Sequence, residues 1–570
     1  MNFSVVLIAK NEEKTLPRLL KSLEGFKSLG GEVIVLDTGS TDQTVAVAFE
    51  WGCKVFAVED KFIITISEEQ ANEINAKYIV AGEEPVITAG QKIFDYSSAR
   101  NHAASLASND MIAMPDCDEE YTALDLELVN KLIESGAEQL EYHFVFAHDE
   151  RGKESLGFLH SKFYNRTKAK WVGVIHEVLS GDVKRLQVPP EIIKLEHWQQ
   201  PSDHRKNYLP ALAYDCYINP ENDRNAHYFG RELVWTGRPQ SAIKQLEQHI
   251  RLSKWAAEIS QSYCFIGDAY LALGKDKEAL AAYHQGFIED PTRREALIRL
   301  AEYFYKNNLP HQVIAYCTAV LEIPGNSYFA NQQHHYTFYP HEMLSWAYHA
   351  IGYLEKSKIH FDLGFGFAPL SSKFLHNYRF HYPLPKVSFI IPHLGREEGL
   401  QRCIESIRKL NYPQEKVEMV IVDGEDTVPK KVAEGLERAT GEVIVYAAND
   451  MEFTPDSVIL AYILSTKGYG LVAFNSGTPE HEHFLITRAL IEKLGGQIFD
   501  TDFHHVGVDN YLWGQAVKLN QATKCEEAIV IHHHFSLDGE MDEVYERGWK
   551  HADSDRALLK EKLARLEVEK

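Results

Sequence analysis

The chain has no Cys-x-x-Cys pair, no apolar run of membrane-spanning length and no excess of positive charge. Its seven cysteines are scattered through 570 residues and odd in number. That excludes a cysteine zinc site or a disulfide framework and fits a reducing compartment. The apolar opening Met1 to Ala9 is interrupted at once by Lys10, Glu12 and Glu13, too soon for a signal-peptide core. No stretch approaches the roughly 20 apolar residues of a membrane helix, so a cytoplasmic protein without a transmembrane segment is expected. Lys and Arg number 59 against 82 Asp and Glu, a formal charge of −23. A broad nucleic-acid surface needs clustered positive charge, so nucleic acid is not expected as a partner. The length exceeds one ordinary core and predicts about three domains.

What is present is an acidic cluster that occurs twice. Asp116-Cys117-Asp118-Glu119 follows the apolar stretch Met111 to Met114, and Asn449-Asp450-Met451-Glu452 follows Val443 to Tyr446. In an extended backbone, carboxylates one residue apart share a face. That arrangement suits a hard divalent cation that also holds phosphate.

The first segment alternates apolar and amphipathic stretches. Phe3 to Ala9 reads as a strand, Glu12 to Leu23 as a helix, Val33 to Leu36 as a strand entering the polar turn Asp37 to Asp42, and Trp51 to Val58 as a third strand. This rhythm predicts a mostly parallel sheet covered by helices. Phe62 to Lys92 interrupts it and reads as an insertion over the site. From Leu209 to Phe380 strand signals vanish and a repeat of about 34 residues appears, the period of tetratricopeptide helix pairs. Gly267, Tyr270, Gly274, Ala279, Tyr283, Gly286 and Pro291 mark one unit, and Tyr348, Gly352, Ser357, Phe361, Gly364 and Pro369 mark a later one. The helical segment reads as either a rigid spacer or a partner-binding groove. The last segment returns to the strand–helix rhythm and ends after Met541 in a charged helix read as a solvated face. The fold class is therefore α/β, with residues 1–212 and 383–570 as sheet domains joined by an all-α domain over 213–382. Spacing pairs the two ends: Glu177 lies 61 positions after Asp116 and Asp509 59 after Asp450, while His197 and His532 follow at 81 and 82.

The runs Val6-Leu7-Ile8-Ala9-Lys10-Asn11-Glu12-Glu13, Val35 to Asp42, Asp95-Tyr96-Ser97-Ser98-Ala99-Arg100-Asn101, Asp116-Cys117-Asp118, Trp171 to Glu177 and Leu195-Glu196-His197-Trp198 together resemble family-2 glycosyltransferases of the GT-A fold. The last segment resembles a second, more divergent member through Ser388 to Pro392, Val422-Asp423-Gly424, Asn449 to Glu452 and Val508 to Trp513. It lacks the Gly-Ser-Thr-Asp turn, and its acidic motif is Asp-x-Glu.

The resemblance implies transfer of a sugar from a nucleotide-sugar donor, a UDP-sugar, to a peptide, protein or glycan acceptor. Asp37 would read the nucleotide base in a pocket lined by Ala9, Asn11 and Glu12, with helix capping as its alternative role. Arg100 would contact the diphosphate or form a structural ion pair. Asp116 and Asp118 would hold the metal and donor sugar, and His197 would be a third metal ligand, which favours Mn²⁺ over Mg²⁺ because imidazole suits the softer ion. Glu177 is the candidate base and His176 would orient the acceptor. In the second domain Asp509 is the base, Pro392 and Asp423 are donor-site positions, and Asp450, Glu452, His532 and His534 are the metal candidates. One base and direct displacement imply inversion. The reading is a bifunctional enzyme, compatible with a homo-oligomer. A rival keeps only the first domain catalytic, with the repeats and the last domain as an acceptor-binding scaffold. A nucleotidyltransferase would need a Gly-rich phosphate loop where Ala9 to Glu13 stands.

Overall fold

The computed structural model describes residues 1–148, 154–198, 208–325, 332–477, 481–533 and 549–568. The chain divides into two compact units, Met1–Ser357 and Lys358–Lys570. The first unit opens with strands β1 (Phe3–Ala9), β2 (Glu32–Asp37) and β3 (Lys54–Ala57), interleaved with helices α1 (Leu16–Ser22), α2 (Glu24–Ser28) and α3 (Thr44–Trp51). Next come β4 (Ile63–Thr65), α4 (Glu68–Tyr78), β5 (Lys92–Phe94), α5 (Tyr96–Ser105), β6 (Met111–Ala113), β7 (Glu119–Leu124) and α6 (Leu126–Glu134). The sheet is completed by β8 (Gln139–His148), β9 (Glu154–Asn165), β12 (Arg185–Gln187) and β13 (Ile193–His197), with β10 (Lys170–Val172) and β11 (Val178–Ser180) forming a separate ribbon. The order is β3-β2-β1-β6-β9-β8-β13-β7, with β12 beside β8. β1, β2, β3 and β6 run parallel; β1, β2 and β6 are the uninterrupted apolar strands expected of a sheet covered on both faces, and β3 is its exposed edge.

Helices α7 (Tyr208–Ile218), α8 (Asp223–Trp235), α9 (Pro239–Leu252), α10 (Ala256–Ala272), α11 (Asp276–Glu289), α12 (Glu295–Lys306), α13 (Pro310–Glu322), α14 (Tyr339–Ala350), α15 (Leu354–Phe367) and α16 (Ser372–His381) fill the middle of the chain. Their pairing explains the repeat's small residues. A Cβ on Gly267 would collide with the Tyr283 ring of the next helix, and one on Gly230 with Leu246. Segment 62–92 packs on the sheet through Phe62, which clusters with Val6, Ile34 and Leu36, and on the helices and the Val174–Ile175 loop through the rest. Its apolar residues Ile66, Ile74, Tyr78 and Ile87 share a core with Leu212, Phe229 and Ala242 of α7–α9. The Tyr78 hydroxyl donates to the Cys216 carbonyl at 2.7 Å, and Val80 N–H to Ser241 Oγ at 2.8 Å.

The second unit contains β14 (Val387–His393), α17 (Glu397–Arg408), β15 (Val417–Asp423), α18 (Val428–Arg438), β16 (Val443–Tyr446), β17 (Met451–Phe453), α19 (Ser457–Ser465), β18 (Leu471–Asn475), β19 (Phe484–Thr487), α20 (Arg488–Lys493), α21 (Val508–Lys518), β20 (Ala522–His532) and α22 (Ala552–Val568). Its sheet order, β15-β14-β16-β19-β18-β20-β17, repeats β2-β1-β6-β9-β8-β13-β7 strand for strand. Every pairing has the same direction in both sheets. The register agrees as well: Ser4 faces Glu32 and donates to it at 2.5 Å, and Ser388 faces and donates to Glu418. The terminal helix α22 is not a solvated tail. Leu559 and Leu563 lie over Gly507 and Gly514 of the α21 segment, and buried Asp555 accepts the N–H groups of His504, His505 and Val506 that precede α21.

Candidate active site

In the first unit the site lies at the carboxyl ends of β1, β2 and β6. Asp37 ends β2 and is buried; its carboxylate accepts the N–H groups of Gly39 and Ser40 at about 3.2 Å, so it organises the turn that the sequence flags. The Ala9 carbonyl takes Thr38 N–H at 2.9 Å, and Asn11, at φ 58°, takes Thr41 N–H on its Oδ1 at 2.8 Å. Glu12 N–H donates to Thr44 Oγ1 at 2.6 Å. Ala9, Asn11, Glu12 and Asp37 thus stand together at the ends of β1 and β2. Asp42 accepts Thr44 N–H at 3.0 Å and acts as a cap.

Asp95 caps α5 by accepting Ser98 N–H at 2.9 Å. This fixes the helix that carries Arg100. The buried Arg100 guanidinium donates to Asp116 Oδ1 and to Glu177 Oε1, each at 2.6 Å, and lies 5.0 Å from the Trp171 ring centre. Lys162 on β9 donates to the other Asp116 oxygen at 2.5 Å and to Glu119. Burial opposes ionisation of Asp116, but Arg100 and Lys162 outweigh it and hold the carboxyl well below the usual range. Burial, with the charge of Asp116 adding, pushes Glu119 up to about 7 despite Lys162. Both oxygens of Asp116 are therefore committed to cations. Asp118 is not. Its Oδ2 lies 3.1 Å from His197 Nε2, while His197 Nδ1 lies 3.0 Å from the Phe146 carbonyl. Burial works against protonation of His197, yet the bond to Asp118 raises its pKa. An imidazole held by a carbonyl on one nitrogen and facing a carboxylate with the other is the donor set a divalent cation needs. The residues present fit such an ion at Asp118 and His197, with Asp116 in a supporting role.

Glu177 and His176 sit on the loop after β10. Val174 N–H donates to Asp215 Oδ2 of α7 at 2.6 Å, and Asp215 is fully buried. Gly173, at φ 99°, would place a Cβ 3.4 Å from the Ile175 carbonyl and 3.5 Å from that carboxylate, so a left-handed residue without a side chain is required there. His176 stacks on Tyr228 of α8 at 4.3 Å and 15°. Burial, with Arg231 and Arg224 nearby, pulls its pKa down to about 3. Sequence reasoning missed Lys162, Asp215 and Tyr228, which carry no local motif.

In the second unit the hydrogen-bonding register revises the pairing of acids. His533 N–H donates to the Asp450 carbonyl at 3.1 Å, as Trp198 N–H donates to that of Asp118 at 2.9 Å. Asp450 therefore corresponds to Asp118, not to Asp116, and Ala448 occupies the place of Asp116. Asp450 Oδ2 accepts from Arg396 at 2.7 Å, and its Oδ1 lies 3.4 Å from His532 Nε2. Glu452 is not beside them in this network; it pairs with His533 at 2.8 Å and with Arg402 at 3.7 Å. The partners that join His532 are Glu482, at 3.1 Å, and His483, at 3.4 Å, which the sequence reading overlooked although His481-Glu482-His483 is a legible run. Burial opposes protonation of His532, but Asp450 and Glu482 raise its pKa to about 9. Asp423 ends β15 opposite His393, the position that Ala9 holds against Asp37, and is exposed; Pro392 lies one residue earlier. Burial, with Glu482 adding, pushes Asp509 up to about 6. His534 lies outside the described residues.

Among curated proteins, an 82-residue stretch is 40% identical to a 4,4'-diaponeurosporenoate glycosyltransferase of Staphylococcus haemolyticus, covering 14% of this chain and 22% of that protein. A 200-residue stretch is 28% identical to a TPR repeat-containing protein of Synechococcus elongatus, covering 35% of this chain and 40% of that one. The chain thus spans less than half the length of either relative. Among solved structures, it aligns with a mannosyltransferase of Pyrobaculum calidifontis in complex with GDP-Man and Mn²⁺ at 17% identity and a TM-score of 0.23, covering 31% of this chain and 67% of that one. It aligns with MamA at 15% identity and a TM-score of 0.24, covering 31% and 99%. No helix among the described residues is long and apolar enough to cross a membrane. Residues 4–63, which carry β1, β2 and the Asp37 turn, match the model of glycosyl transferase family 2.

Proposed function

We propose that this chain is a cytoplasmic, metal-dependent, inverting glycosyltransferase that moves a hexosyl group from a UDP-sugar to a peptide, protein or glycan acceptor. The carrying observation is the Asp118–His197 pair set beside the Arg100–Glu177 pair at the carboxyl edge of the sheet that holds the family-2 segment. In this reading both sheets are GT-A domains, bounded at 1–212 and 383–570, and the helices over 213–382 are tetratricopeptide repeats. Asp37 and its turn hold the nucleotide. Asp118 and His197 would ligate Mn²⁺, or Mg²⁺, which when bound neutralises the leaving diphosphate. Asp116, already paired with Arg100 and Lys162, keeps two cations at the donor phosphates. Glu177 has one oxygen on Arg100, and its Oε2 makes no hydrogen bond among the described residues, so it can take the acceptor's proton. Attack opposite the leaving group then inverts the anomeric centre.

The second domain would act as a second transferase, with Asp450, Glu482, His483 and His532 as its ligand set and Asp509 as its base. Its two imidazoles favour Mn²⁺ over Mg²⁺. The absence of an acid at Ala448 favours the other reading, in which this domain only holds the acceptor. The deciding experiment follows UDP release and product mass from a panel of UDP-sugars with Mn²⁺ and with chelator, using the full chain and its Asp118→Asn and Asp450→Asn variants. Asp118→Asn is expected to lose the first transfer by about a hundredfold or more, and Asp450→Asn the second alone. Full Mn²⁺-dependent turnover in Asp118→Asn would end the proposal. Unchanged products from Asp450→Asn would reduce the enzyme to one active domain.

A further inference from the structure

In a chain with 82 acidic residues against 59 basic ones, a half-buried arginine without a carboxylate is unexpected. Arg224, in the first turn of α8, is such a residue. Its guanidinium makes no hydrogen bond or ion pair among the described residues, and its Nε is buried without a partner. It lies 4.8 Å from the centre of the Tyr228 ring. Arg231, two turns further along the same face of α8, lies 4.6 Å from the same ring and also has a buried, unpartnered Nε, although one of its Nη atoms reaches Glu232 at 3.0 Å. His176 stacks on Tyr228 beside them, and its own Nε2 is buried without a partner. Three nitrogen atoms around the Tyr228 ring, Arg224 Nε, Arg231 Nε and His176 Nε2, are thus buried with no hydrogen bond made. Leaving such groups unpaired is unfavourable, and an incoming anion would relieve it.

Position says which anion. Along the sheet, Asp37 ends β2, Asp116 and Asp118 follow β6, and His160 stands on β9, the next strand outward. Arg224 is within electrostatic reach of both His160 and His176. Arg224 and His176 lie on the same Tyr228 ring, and His176 precedes Glu177 in the chain, which sets Arg224 on the Glu177 side of the site. We propose that Arg224, with Arg231 and the face of Tyr228 behind it, forms a subsite for an anionic group of the acceptor: a phosphate monoester or a carboxylate near the hydroxyl that is glycosylated. A planar guanidinium fork matches either group. The identification of the occupant as acceptor rests on the proposed role of Glu177; the anion site itself does not.

The test uses the full chain without donor or divalent metal. Phenyl phosphate and benzoate are titrated at constant ionic strength, and binding is read by calorimetry and by melting temperature. Wild type is expected to bind at least one probe at millimolar concentration. Phenyl phosphate alone would mark the acceptor group as a phosphate ester, and benzoate as well would admit a carboxylate. Arg224→Gln should weaken binding about tenfold, the loss of one charge-assisted hydrogen bond. Arg224→Lys, which keeps the charge and loses the fork, should lie between, and Arg166→Gln on the far edge should match wild type. Binding of neither probe to wild type, or undiminished binding to Arg224→Gln, would overturn the proposal. Anion binding that persists in a chain with no transferase activity would refute the catalytic reading and leave this site standing.

Discussion

Arg100 holds Asp116 and Glu177 at 2.6 Å each while itself buried. Removing it would leave two inward-facing carboxylates sharing only Lys162, on the Asp116 side. Breaking a buried pair in this way costs about 3–5 kcal/mol, so Arg100→Ala should lower the urea midpoint sharply and not merely slow turnover. Asp509 makes the complementary prediction. Burial raises its pKa to about 6; below that pH it carries its proton and is no longer a base. As the proposed base of the second transfer, it predicts a rate that falls tenfold per unit as pH drops below about 6. Of these residues, Arg100, Asp118, Glu177 and His197 were legible because each lies in a recognisable run. Lys162, Asp215 and Arg396 were not, because each becomes relevant only through a strand or helix distant in sequence. The pairing of Asp450 with Asp116 by spacing failed for a related reason. Loop lengths drift, whereas the hydrogen bond from the residue after the histidine fixes which carboxylate lies opposite.

At the scale of elements, a Ser–Glu latch opens both sheets. Glu32 accepts from Ser4 and Ser108 and pairs with Lys54; Glu418 accepts from Ser388 and Thr440 and pairs with Lys386. Burial opposes their ionisation, but these partners lower both pKa values to about 2 from the ordinary 4.5. A depressed folded-state pKa gives stability that is complete above the unfolded value and is lost as pH falls through the folded one. Glu32→Gln and Glu418→Gln should each lower stability near neutrality, where the carboxylate's contribution is complete, and flatten the further loss between pH 4.5 and 2. The loop over Gly173 to Glu177 depends on α7. Asp215→Ala would leave Val174 N–H unpaired, at a cost of about 1–3 kcal/mol, and release Glu177. The expected kinetic signature is a fall in kcat with little change in the KM for donor. Alternation of strands and helices, and the 34-residue helical period, were readable from apolar patterning. The packing of segment 62–92 on the helices was not, because its residues show where they are apolar but not which face receives them.

Taken whole, the molecule uses one sheet plan twice. The two copies match in strand order and direction, and each has a carboxylate opposite a late histidine. They differ where chemistry would be decided, with Asp116 in one and Ala448 in the other. The boundary at residue 212 read from the sequence runs through α7, between the sheet and the helix that supports its loop. A fragment ending at residue 198 is therefore expected to fold poorly and release no UDP, whereas one ending at Ser357, the limit of the first compact unit, should retain the first activity; circular dichroism and a UDP-release assay would compare them. The buried carboxylate on α7 has a practical meaning for anyone wishing to graft this sheet domain onto another scaffold. The cassette cannot be cut where strands give way to helices; to carry a working floor for its reaction it must bring the beginning of the solenoid with it.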